Sequence, residues 1–234
     1  MKKVSSISVF GDSILRGIVL NSTKRYAVSD SIGIDSIGSL YSMQVTNLSR
    51  FGCTTPRGYE YIRKYLERGG HADVVLLELG GNDCDFNWNQ VAADPFAEHQ
   101  PNTPLDIFVE TYHRIIDCLK EHGVIPVLTN LPPVCPERYL DWICRDGLDR
   151  EKILEFLGSS STIYRYQENY SRTIEQIASQ SGSFCIDLRG AFLKHRLIDD
   201  LYCEDGIHPN DKGQGIIRDT LIETINKTKG VIYA

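Results

Sequence analysis

Short apolar runs alternate with amphipathic stretches along most of the chain. The runs predict strands at Val4 to Phe10, Met43 to Leu48, Asp73 to Leu79, Val124 to Thr129 and Ser183 to Leu188. Between them the apolar positions fall at three- and four-residue spacing. Thr55 is placed to cap a helix that begins at Pro56, buries Tyr59, Ile62 and Leu66, and stops at Gly69-Gly70. A second helix takes Thr103 as its cap and Pro104 as its first residue. It carries Leu105, Phe108, Val109, Tyr112, Ile115, Ile116 and Leu119 on one face and ends at Gly123. A later helix presents Tyr170, Ile174 and Ile177, and the last begins at Pro209 and buries Ile217, Leu221 and Ile225.

Strand–helix alternation of this kind implies a mainly parallel sheet covered by helices on both faces, with functional residues in the loops after the carboxyl ends of the strands. Two segments, Cys84 to Asn102 and Leu131 to about Tyr166, lack a regular period. Both follow sheet strands, so both are expected to overhang one face as lids or binding walls. No repeat, linker or low-complexity tract divides the chain, and residues 1–234 are read as a single domain.

Composition narrows the partners. The formal net charge is -6 and the basic residues are scattered, so a nucleic-acid surface is not expected. No apolar stretch is long enough for membrane insertion, and the segment after Met1-Lys2-Lys3 is broken by serines and then by Gly11-Asp12, unlike an export signal. Seven cysteines, an odd number with no pair two residues apart, fit reduced thiols in a cytoplasmic protein better than a disulfide framework or a zinc site. The sequon at Asn47-Leu48-Ser49 is accordingly read as chance.

The chemistry lies in four short segments. Gly11-Asp12-Ser13 follows the first predicted strand, Gly52 the second and Gly80-Gly81-Asn82-Asp83 the third, while Asp205-Gly206-Ile207-His208-Pro209 precedes the last helix. Ser13, before Ile14-Leu15 and a possible helix start, is a candidate nucleophile that needs a base. His208 is the candidate base. Asp205, three residues earlier on a tight turn, can orient one imidazole nitrogen while the other faces Ser13. Gly52, through its backbone N–H, and Asn82, through its side-chain amide, join the Ser13 N–H as candidate oxyanion donors. Taken singly, Gly-Asp-Ser is an ordinary capped turn, Gly-Gly-Asn-Asp a common turn, and Asp205–His208 a helix-capping pair.

Together, in this order, the four segments resemble the SGNH superfamily of hydrolases, also called GDSL-type esterases and lipases. The match runs from residue 8 to residue 210, with Leu131-Pro132-Pro133 resembling the proline-rich turn that follows the fourth strand and Gly-Asp-Ser-Ile standing where Gly-Asp-Ser-Leu is usual. The resemblance implies an α/β fold: a three-layer α/β/α sandwich with a five-stranded parallel sheet, flavodoxin-like. It also implies a serine mechanism without metal or cofactor, with a Ser13–His208–Asp205 triad and an oxyanion hole of Ser13, Gly52 and Asn82. Asp12 and Asp83 are implied to orient their loops beside the substrate. The Gly-x-Ser-x-Gly elbow of the larger α/β-hydrolase class is absent.

The expected partner is a small-molecule ester. The two irregular segments mix Trp88, Trp142 and other aromatics with Asn87, Asn89, Gln90 and Arg138, which suits a sugar ring, although the aromatics are equally explained as packing anchors. Since neither segment is a smooth apolar run, a short acyl group such as acetyl is expected, on a carbohydrate or another alcohol. A lysophospholipase or acyl-thioesterase of the same superfamily, a non-catalytic binding protein, a phosphate binder using the first loop and a metal-dependent hydrolase using Asp12, Asp83, Asp205 and His208 are the competing readings. Nothing in the residues fixes the oligomeric state.

Overall fold

A computed structural model describes residues 4–29 and 33–228; Met1 to Lys3 lie outside the described residues. Five strands form one parallel sheet: β1 (Ser6–Gly11), β4 (Gln44–Asn47), β5 (Val74–Glu78), β6 (Ile125–Thr129) and β7 (Phe184–Ile186). Their spatial order is β4-β1-β5-β6-β7. In chain order that is the 2-1-3-4-5 arrangement of a doubly wound sheet, whose binding crevice opens where the winding reverses, beside β1. All five strands overlap the expected runs, each trimmed by a residue or more at one or both ends.

The alternation of side chains along each strand makes the layers. On β5, Val75 and Leu77 face one side and Val74 and Leu76 the other. The first side packs against α2 (Thr55–Glu67), α4 (Leu105–Glu121) and α7 (Ser161–Ser181). The second packs against α1 (Ile34–Tyr41), α8 (Leu188–Leu193) and α9 (Asp211–Thr228). On α4, Phe108, Tyr112, Ile115, Ile116 and Leu119 are buried. At about 1.5–3 kcal/mol for each fully buried large apolar side chain, this face holds the helix to the sheet.

Helix starts differ from expectation by a residue or two. Thr54 stands at the N-cap of α2 and Pro104 at that of α4, neither with a side-chain cap bond. The first amide of α2, that of Thr55, is instead taken by the distant Asp83 carboxylate. In α9 the capping oxygen belongs to Asn210, which accepts from the Lys212 and Gly213 amides, while Pro209 bridges to Tyr202 in an isolated β pairing.

The largest departure concerns the two segments read as irregular. They contain α3 (Trp88–Ala93), α5 (Pro136–Cys144), α6 (Arg150–Leu157) and the first turn of α7. α3, α5 and α6 are short, and none of the three buries its apolar stripe on the sheet. They pack on one another through Phe86, Val91, Leu140, Ile143, Ile153 and Leu157, a third apolar cluster beyond the carboxyl end of the sheet. No helix follows Ser13 either. One turn, closed by the Arg16 N–H on the Asp12 carbonyl, leads through Gly17 into an antiparallel hairpin of β2 (Ile18–Leu20) and β3 (Tyr26–Val28). The β-branched Ile18 and Val19 fit that ribbon better than a continued helix.

Candidate active site

The loops after β1, β4 and β5 meet the turn before α9 over the crevice beside β1. Ser13 Oγ lies 2.9 Å from His208 Nε2, and His208 Nδ1 lies 2.7 Å from Asp205 Oδ2. The other Asp205 oxygen accepts the Ile207 and His208 amides at 3.1 and 3.0 Å, so the carboxylate braces both the ring and the turn that carries it. All three side chains are buried. Burial alone would raise the Asp205 carboxyl, but the His208 ring and the two amides hold it below the ordinary carboxylate value. A carboxylate kept ionised against one imidazole nitrogen leaves the other free to take a proton from the serine.

The oxyanion candidates sit beside Ser13. Gly52 adopts φ 67°, a left-handed conformation that favours glycine, in the turn after β4. Among the described residues neither the Gly52 N–H nor the Ser13 N–H has an acceptor within the chain, so both are open to an incoming oxygen. Asn82 differs. Its amide donates to Asp12 Oδ2 at 2.8 Å and to the Cys53 carbonyl at 3.3 Å.

Asp12 and Asp83 have separate places. Asp12 lines the cavity above Ser13 and accepts the Ile14 amide at 2.8 Å. Asp83 is fully buried behind the wall and is absent from the lining; its carboxylate is turned back to the start of α2. This corrects the expectation that it stands beside the substrate. Burial pushes the Asp83 carboxyl up to about 6, against the bonds from Thr103 and Thr55. Asp12, Asp83, Asp205 and His208 do not gather, and among the described residues no group of three or more His, Cys, Asp or Glu could hold a metal ion.

A cavity of about 590 Å³ runs from Ser13 and His208 to the third apolar cluster, within the size range of small-molecule sites. Its mouth carries Tyr26, Phe51 and Trp142. The Phe51 ring stacks on His208 with centroids 5.8 Å apart, and Tyr26 tilts against the same imidazole at 4.9 Å. Trp142 lies under the Arg145 guanidinium at 4.0 Å, and Trp88 packs on Phe86 with its indole N–H on Asp85. Val134, Ile143, Leu157 and Ile163 line it where it meets the third apolar cluster, and Leu131 lines it beside Gly80. Tyr26, Phe51 and Asp85 carry no motif. The only hint for Phe51 is an aromatic placed directly before Gly52.

The model of the GDSL-like lipase/acylhydrolase family matches residues 9–216. The chain belongs to that family. It is therefore a GDSL-type hydrolase of ester bonds. Among solved structures, this GDSL-type chain is similar to a lipase/acylhydrolase from Enterococcus faecalis, with a TM-score of 0.65 and 19% identity over 95% of this chain and 96% of that one. It also resembles a catalytic mutant of an acetylxylan esterase from Geobacillus stearothermophilus (TM-score 0.64, 18% identity, 96% of this chain and 95% of that one). A third likeness is to the psychrotrophic esterase EstA from Pseudoalteromonas sp. (TM-score 0.62, 17% identity, 97% and 100% covered). At these identities the shared feature is the fold, a parallel five-stranded sheet between helices. No curated protein matches the sequence. No helix among the described residues is long and apolar enough to cross a membrane.

Proposed function

We propose that this GDSL-type hydrolase is a serine carboxylesterase that works through an acyl-enzyme on Ser13 and accepts an acyl group larger than acetyl. The reading is carried by the unbroken hydrogen-bond chain from Ser13 through His208 to Asp205. His208 takes the Ser13 proton as Oγ attacks the ester carbonyl, and the oxyanion is received by the Ser13 and Gly52 N–H groups with the Asn82 amide. Collapse breaks the bond to the alkoxide, which leaves with the proton held by His208. Water then repeats the steps on the acyl-enzyme and returns Ser13 and a carboxylic acid.

Acyl size is argued from the cavity. Its far end is apolar, built from helices that the sequence pattern leaves unmarked, and has room for an alkyl or aromatic acyl group. This favours a longer acyl chain over the acetyl expected from sequence. A second reading keeps the short acyl and assigns the aromatic mouth, with Asn87 and Asn89 on the lining, to a sugar ring; two of the proteins of similar structure are acetylxylan esterases. The seven unpaired thiols support a reducing compartment such as the cytoplasm. The test is a series of p-nitrophenyl esters from acetyl to decanoyl, run beside labelling by a fluorophosphonate probe. Labelling and turnover are expected in the wild type and absent in Ser13→Ala. A non-catalytic binding protein would show neither, and a preference for acetyl over hexanoyl would return the reading to the short acyl.

A further inference from the structure

β5 ends in Glu78, whose side chain is fully buried beneath the serine loop. The steps above do not use it. Glu78 Oε2 lies 3.4 Å from the Asp12 N–H, and among the described residues Oε1 meets no hydrogen-bonding partner. The Asp12 and Glu78 carboxyls are close neighbours beneath the serine loop, and the Leu15 N–H also approaches Glu78. Two buried carboxyls share one site only when one of them carries a proton, because two bare charges at close range repel. Burial pushes both groups up, and Glu78 is raised well above the ordinary range by burial and by the Asp12 charge.

The backbone is built around this pair. A Cβ on Gly11 would stand 3.1 Å from Ser49 Oγ and 3.2 Å from Glu78 Oε2, so the first glycine of the serine loop leaves the space that the carboxyl fills. Asp12 is the hub on the other side: it accepts the Ile14 amide through one oxygen and the Asn82 amide through the other, both at 2.8 Å. Fixing Asp12 therefore fixes both the turn that carries Ser13 and the direction of the Asn82 donor.

We propose that Glu78 is a positioning residue for the esterase reaction: as a neutral acid it donates its proton to the Asp12 carboxylate, which locks Asn82 and the Ser13 turn toward the oxyanion. The proton stays within the pair through the cycle, and Glu78 makes no bond to substrate. The inference rests on the hydrolase reading above.

A pH signature follows. With one proton the pair carries a single negative charge. Loss of that proton at higher pH breaks the Glu78–Asp12 bond and puts a second charge beside the place where the oxyanion develops, so kcat declines on the alkaline side. The other groups around the pair are Asp83, His208, Cys53 in the loop after β4, Cys84 in the loop after β5 and Tyr112 on α4. Asp83, at about 6, is ionised before that decline begins, and burial pushes Cys53 up to about 12 and Tyr112 well above its usual value.

The experiment measures kcat and KM against pH for the wild type, Glu78→Gln and Glu78→Ala on p-nitrophenyl butyrate, with circular dichroism at each pH. Wild-type kcat is expected to decline on the alkaline side. Glu78→Gln keeps a neutral donor that cannot ionise; it should retain most of the neutral-pH kcat and lose the alkaline decline. Glu78→Ala should lower kcat by about 10- to 100-fold with little change in KM, as for a misdirected oxyanion donor. An alkaline decline that persists in Glu78→Gln, or a Glu78→Ala enzyme as active as wild type, overturns the proposal. Should Glu78→Ala fail to fold, the comparison of Glu78→Gln with wild type decides alone. Wild-type protein without Ser13-dependent turnover would sink the hydrolase reading; turnover with an unaltered limb in Glu78→Gln sinks only this inference.

Discussion

Replacing Asp205 by Asn reverses the hydrogen-bonding sense of one atom and changes almost nothing in shape. In the folded chain one carboxylate oxygen accepts the Ile207 and His208 amides, and the other faces His208 Nδ1 at 2.7 Å. The Asn side chain satisfies the two amides only by turning its own oxygen toward them. Its NH2 then points at Nδ1, which must become an acceptor, and the imidazole proton moves to Nε2. That nitrogen faces Ser13 at 2.9 Å and can no longer take the serine proton. A wrong tautomer in such a triad costs roughly 10,000-fold in kcat, or about 5.5 kcal/mol. The turn keeps its bonds, so KM and the thermal midpoint should move little. Steady-state hydrolysis of a hexanoyl ester measures the rate, and the rate of fluorophosphonate labelling reports Ser13 independently of turnover. Both should fall together. An Asp205→Asn enzyme that kept about a tenth of wild-type kcat would refute the role given to Asp205.

Three further outcomes are expected. On the ester series, each added methylene buried in the apolar end is worth about 0.8 kcal/mol, so hexanoyl should exceed acetyl in kcat/KM by up to about 200-fold, and Leu157→Trp should shorten the preferred chain. For Asp83, a folded value of about 6 above the ordinary 3.8 means the ionised group disfavours the fold above pH 6 and the effect disappears below 3.8. Wild type should therefore gain stability relative to Asp83→Asn as pH falls from about 7 to 4.5, by at most about 3 kcal/mol, read from urea midpoints; a gap that does not change with pH refutes this. Tyr112 is buried and donates to the Leu79 carbonyl at 3.0 Å, so Tyr112→Phe should cost about 1–2 kcal/mol in urea unfolding through the unpaired carbonyl.

The sheet is legible because its strands are buried on both faces and read as short apolar runs, as Val74 to Glu78 does. The glycines, Asn82 and the Asp205–His208 turn are legible because each lies in a loop at the carboxyl end of that sheet, where an apolar core does not call for them. The helices between Cys84 and Tyr166 escape for the opposite reason. They are one to three turns long, broken by proline and glycine, and their apolar residues meet one another instead of the sheet. Their period is too brief to register, and with it goes the apolar end of the cavity. Glu78 is hidden differently. At the end of Val-Val-Leu-Leu-Glu it reads as a strand leaving the core for water, and only the packing against Gly11 and Asp12 reveals that it stays inside. Tyr26 reaches His208 across a hairpin with three residue pairs, too short to register in the hydrophobic pattern.

Ser13 and His208 are 195 positions apart, and α9, the helix behind His208, grips the serine turn directly, through the Gln214 amide on the Ile14 carbonyl. Ser13 is synthesised long before His208, so under the proposed mechanism a chain that has not reached His208 holds Ser13 without its base. On the proposed mechanism, the hydroxyl of Ser13 becomes reactive only once α9 has docked and carried His208 into place beside it.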